Sequence, residues 1–169
     1  MATIDPRRPL WYRRYRGAAY LCAFAALVWT AAIVLPFEPF SYLPPIIVGP
    51  GPSTWLVLAY VLFLVVGIGG FGSLSAFLST VELHENRTVD SRIMWPALVL
   101  LSVGFVGSVL LLAVAGAVGG YDSYLGFTAN SIDQVLSPYV FPITGMVLIT
   151  IIGAALAVLS MVRARWPSS

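Results

Sequence analysis

The sequence predicts an all-α integral membrane protein: four transmembrane helices in one bundle domain over residues 1–169, with N and C termini cytoplasmic. Three observations predict it. First, 59% of residues are hydrophobic and 9% charged, whereas soluble domains carry about a quarter charged residues. Second, the charges are segregated. None falls between Arg16 and Glu38, Glu38 and Glu82, Arg92 and Asp122, or Asp133 and Arg163. Each gap has room for the roughly 20 apolar residues that cross a bilayer core. Third, all basic residues are arginines on one side of these spans. Arg7, Arg8, Arg13, Arg14 and Arg16 precede the first, Arg87 and Arg92 separate the second from the third, and Arg163 and Arg165 follow the fourth. The positive-inside rule places those segments in the cytoplasm of a multi-pass cell-membrane protein.

The first span is expected at 18–35. Asp5-Pro6 has the form of an N-cap and first-turn proline, so the helix is expected to start there and enter from the membrane surface. Arginine interleaved with aromatics would also suit nucleic acid. The membrane interface is the better reading, with no nucleic-acid partner: Trp11, Tyr12 and Tyr15 at headgroup level, and Arg13, Arg14 and Arg16 against anionic lipid. The run "PFEPFSYLPP" follows, not a small-residue cleavage site, so the segment is read as a span and not a leader. Cys22 is the single cysteine and can form no internal disulfide.

An outer loop is expected at 36–53. Its repeated prolines exclude helix and hold it extended. Being aromatic and nearly uncharged, it is expected to lie on the membrane surface or another protein. Ser53 is placed to cap the second span, 54–80, whose last turns continue past the bilayer towards His84. Asn86-Arg87-Thr88 is a formal glycosylation sequon, but faces the cytoplasm on this topology and is read as accidental. Thr88, Asp90 or Ser91 can cap the third span, 93–118. The second outer loop, 119–138, is expected to hold a short interfacial helix. Asn130 or Ser131 would cap it, and Ile132, Val135 and Leu136 would share one face. Ser137-Pro138 then opens the fourth span, 139–162.

Each span carries a strip of small residues. Gly69, Gly72, Ser73 and Ala76, with Ser79 and Thr80, fall within about 120° of a helical wheel on the second span. Ala97, Gly104, Ser108, Ala115 and Gly119 align on the third, Gly153, Ala157 and Ser160 on the fourth, and Ala19, Ala23, Ala26 and Thr30 on the first. Hydrophobic drive between helices is weak in lipid, so association needs the close backbone approach that such strips allow. Packing within the bundle is the favoured use of each strip. Docking onto another subunit is the rival for the second span.

Reactive groups are sparse. No ionisable residue lies centrally in a span, which argues against ion-coupled transport. With His84 the only histidine, a haem held by two histidines of one chain is excluded, and so is a histidine-rich copper or zinc site. The lone cysteine excludes dithiol chemistry. The glycines of "GIGGFG" lack the βαβ context of a dinucleotide site. Glu82, His84, Glu85 and Asp90 could contribute to a shared metal site, but a solvated helix end explains them better. Asp122 and Asp133 are the weak catalytic candidates, an acid and base on the outer face. A solvated turn residue and a capping residue explain these two better.

The functional expectation is therefore a non-catalytic integral membrane subunit of a larger complex, acting in assembly or stabilisation. A respiratory or other energy-converting host is the guess. No cofactor or metal is expected, and the partners are the lipid bilayer and other integral membrane subunits. One alternative is an oligomeric small-molecule or lipid transporter. The other is a membrane hydrolase using the outer aspartates.

Overall fold

The structure, a computed structural model, describes residues 10–35, 44, 47 and 51–164. Asp5-Pro6 and nearly all of the first proline-rich loop lie outside these residues. Among the described residues, four helices are long and apolar enough to cross a membrane, the makeup of a multi-pass membrane protein. They are α1 (Trp11–Val34), α2 (Thr54–His84), α3 (Ser91–Tyr124) and α4 (Ala129–Val162). One end of the molecule, the arginine end, gathers Trp11, His84, Ser91 and Val162.

The helices pack largely in sequence order. The second half of α2 lies on α1, its first half on α3, and α3 runs against α4. The change of partner along α2 falls at Phe63–Gly70, a stretch of wide π-helical turns between the α-helical segments Thr54–Leu62 and Phe71–Ser79. A π segment advances more residues per turn and so re-aims the faces on either side of it. Before it, Leu56 and Ala59 are buried. After it, Phe71, Ser75, Leu78 and Glu82 are. A second π turn, Thr80–His84, ends α2, with the Glu85 amide donating to the Thr80 carbonyl. Asn86 then takes φ 49°, a left-handed position asparagine tolerates, and stops the helix.

The second outer segment differs from its expectation. Helices α3 and α4 are 34 residues each, or about 51 Å long. The expected loop 119–138 is thus the last turns of α3, a short turn, and the first turns of α4. Gly126, at φ +82°, makes that turn. Thr128 is the N-cap of α4, not Asn130 or Ser131, and no separate interfacial helix exists there. Pro138 lies inside α4. A proline ring removes the amide that the carbonyl four residues back would accept from. Here that carbonyl is Gln134, and the Ser137 hydroxyl donates to it at 3.2 Å. Ser137-Pro138 therefore repairs a helix interior and does not start one. Asp90 does cap α3, its carboxylate accepting from the Arg92 amide at 2.9 Å. Ser53 holds the N-cap position of α2 without a side-chain capping bond.

Rings link the helices through the centre. Trp29 meets Tyr60 and Phe63, Phe63 stacks on Phe105 at 5.5 Å, Phe105 meets Phe71, and Phe71 meets Tyr15. Successive centroids lie within the range of favourable aromatic pairs.

Candidate functional site

The α3–α4 seam is built on small residues. Ala97, Gly104, Ser108, Ala115 and Gly119 are buried on α3, and Gly153, Ala157 and Ser160 on α4. A Cβ on Gly104 would lie 2.5 Å from the Thr150 amide nitrogen and 2.7 Å from the Met146 carbonyl oxygen. A Cβ on Gly153 would strike the Leu101 amide nitrogen and sit 2.7 Å from its Cα. Backbone against backbone leaves no room for any side chain. Gly116, which the strips did not include, does the same between α3 and α2, against Leu56.

The strip on α2 makes no such close approach. Gly69, Ser73 and Ala76 are exposed, and a Cβ on Gly72 would meet nothing within 4 Å. The expectation that these four pack inside the bundle is corrected. The inward face is Gly67, Phe71, Ser75 and Leu78, because the ring cluster takes the space between α1, α2 and α3.

A second correction concerns the interface residues. Trp11 is 1% exposed and Tyr15 0%, both packed in the main core. They are interior residues of the protein, not headgroup anchors. Tyr12 is half-buried, while Arg13, Arg14 and Arg16 are exposed.

Trp11 and Tyr15 are held inside by a polar lock at the arginine end. Glu82 of α2 is 2% exposed. Its Oε1 accepts from the Trp11 amide at 3.1 Å and its Oε2 from the Tyr12 amide at 3.2 Å. A helix N-terminus has unsatisfied amides and partial positive charge. The first turn of α1 has no acid of its own and already carries Arg13 and Arg14, both adverse to that dipole. Glu82 supplies the missing anion from 71 residues away. Around it, Ser75 Oγ donates to the Tyr12 carbonyl at 2.9 Å and Trp11 Nε1 to Ser91 Oγ at 3.2 Å. The Trp11 and Trp95 rings meet edge to face. The Arg14 guanidinium lies 4.5 and 4.4 Å from their centroids, a double cation–π contact.

This lock resolves the acidic cluster. Glu82 turns inward as a cap, His84 and Glu85 face out, and Glu85 pairs with Arg87 at 3.3 Å. Among the described residues no three His, Cys, Asp or Glu side chains gather as metal ligands. The outer aspartates are not gathered either. Asp133 lines a cavity of about 470 Å³ with Trp55, Ile132 and Leu136, but Asp122 does not line it. Neither carboxylate is hydrogen-bonded among the described residues.

Beside the lock, a groove of about 660 Å³ runs between α1 and α2. Tyr12 and Arg16 stand at the arginine end of its wall, and Ala19, Ala23, Ile68 and Gly72 continue towards mid-helix. None of this was legible in advance, because it needs the register of two distant helices.

No family model, curated protein or solved structure matches this chain.

Proposed function

We propose that the protein is a non-catalytic integral membrane subunit of a larger complex, with both termini and the 85–90 loop in the cytoplasm. A respiratory or other energy-converting complex is the class of host this reading favours. One observation carries it: the α2 ridge of Gly69 and Ser73, outside the α1–α2 groove, faces outward, while the small strips of α3 and α4 are buried in contacts. Small side chains add little against lipid but let a second helix approach closely. An outward small ridge therefore suits a partner helix.

The test is purification in mild detergent with mass spectrometry of co-purifying chains. A Cβ on Gly69 would touch only the Leu64 carbonyl, at 4.0 Å. Gly69→Leu should thus leave the thermal midpoint unchanged and release a co-purifying membrane chain. Recovery of the same chains with the variant as with the parent would refute this use of the ridge.

Topology has its own test. Cysteine at Ser123 should react with an impermeant maleimide on intact cells, whereas cysteine at Thr88 should react only after the membrane is opened. The reverse pattern would invert the proposed orientation.

A further inference from the structure

We propose that the α1–α2 groove is a binding site for an anionic phospholipid, its headgroup at Arg16 and one acyl chain along the groove floor. The inference rests on reading these helices as membrane spans, and adds a ligand and a site to it.

The groove's chemistry is graded along its length. At one end stand the guanidinium of Arg16 and the ring of Tyr12, with Ser75, Ser79 and Leu83 of α2 across from them; beyond lie Ala19, Tyr20, Ala23, Gly72 and Ile68, none of them charged. A phospholipid has the same order, anion first and hydrocarbon after. The volume of about 660 Å³ falls within the roughly 300–1,000 Å³ of small-ligand sites. From Arg16 to Ala23 the wall is about 10 Å long, enough for the upper part of an acyl chain.

Charge selects the headgroup. Arg13, Arg14 and Arg16 have no carboxylate partner among the described residues. The nearby acids are engaged, Glu82 by the α1 amides and Glu85 by Arg87. Arg14 is held between two indoles, and the Arg13 Nε donates to the Tyr12 hydroxyl at 3.2 Å. Arg16 is the arginine that lines the groove, and its guanidinium rests 5.4 Å from the Tyr12 centroid. A guanidinium without a carboxylate partner among the described residues, at the mouth of a largely apolar groove, favours a headgroup of net negative charge over a zwitterionic one. A protein helix would need no such charge.

The test uses the full chain stripped of lipid in neutral detergent, then given phosphatidylglycerol or phosphatidylcholine with identical acyl chains, with retention read by native mass spectrometry. Phosphatidylglycerol should be retained about fivefold better, the equivalent of about 1 kcal/mol for one arginine near the surface. Arg16→Gln should bring the ratio close to one, while Arg16→Lys and Arg13→Gln should keep it. A Cβ at Gly72 meets nothing within 4 Å, so Gly72→Leu has open space in which to fill the floor. It should lower retention of both lipids at an unchanged thermal midpoint.

Equal retention of the two lipids by the parent would overturn the proposal. So would an unchanged ratio in Arg16→Gln, or release of a protein chain or second copy by Gly72→Leu in place of lipid. Flotation with liposomes separates this failure from that of the membrane reading. A chain that does not float sinks both, and one that floats without headgroup preference sinks only the lipid site.

Discussion

Replacing Gly153 with leucine is expected to part α3 from α4 and prevent the protein from holding its native fold. The position has no outlet. Its missing Cβ faces the Leu101 amide, the Leu101 Cα and, at 3.0 Å, the Ala97 carbonyl oxygen, all backbone of the facing helix. Side-chain collisions can relax by rotamer change, but here the whole of α3 must move. Overpacking in cores costs about 1–3 kcal/mol when side chains can adjust, and this substitution should exceed that range. Gly153→Ala should already lower the thermal midpoint in detergent, and Gly153→Leu should give misassembled chain that still enters the membrane, since leucine favours insertion. The control is Gly72→Leu, the same change at a glycine with open space. Equal midpoints for the two leucine variants would show that the α3–α4 approach is not close.

The second large effect is expected at Glu82. Glu82→Ala removes both acceptors of the Trp11 and Tyr12 amides and leaves the buried Trp11 N–H without a partner. Hydrogen bonds to charged groups contribute about 1.5–3 kcal/mol and an N-cap about 0.5–2. A loss of about 2–3 kcal/mol is therefore expected, confined to the first turns of α1. Trp11 should leave Trp95, and Arg13, Arg14 and Arg16 should become sites of rapid tryptic cleavage. Glu82→Gln keeps one carbonyl oxygen and should restore part of the protection, without the charge that offsets the helix dipole. Cleavage of Glu82→Ala at the parent's rate would show that α1 is held without the cap.

The two effects differ in how far they could be foreseen. Gly104, Ser108, Gly153 and Ala157 were visible as small strips because helical spacing alone brings them to one face. The seam they form follows from that geometry. Glu82 was visible only as an acid near a helix end. Its role depends on α1 starting beside the last turn of α2, a juxtaposition across 71 residues that no local pattern encodes. For the same reason Trp11 and Tyr15 looked like interface anchors. Aromatic rings among arginines suit a headgroup layer, and equally suit a core once a carboxylate and Ser75 satisfy the backbone beside them.

Local chemistry was ambiguous at two further places. Ser137-Pro138 matches a helix start, but a serine hydroxyl can also serve the carbonyl that proline leaves without a donor, as Ser137 does for Gln134. The α2 strip matches a packing face, but a small face permits contact without requiring it.

By itself the sequence determined the helical class, the number of apolar helices and the small faces of α3 and α4. These follow from composition and from the 3.6-residue period, which act within one helix. Tertiary structure alone decided which face of α2 turns inward, that Trp11 and Tyr15 are interior, that Glu82 caps α1, and that Arg16 overlooks a groove. Each depends on the relative register of different helices. In a chain so uniformly apolar, hydrophobicity cannot set that register, so it falls to a few backbone contacts, stacked rings and one buried carboxylate.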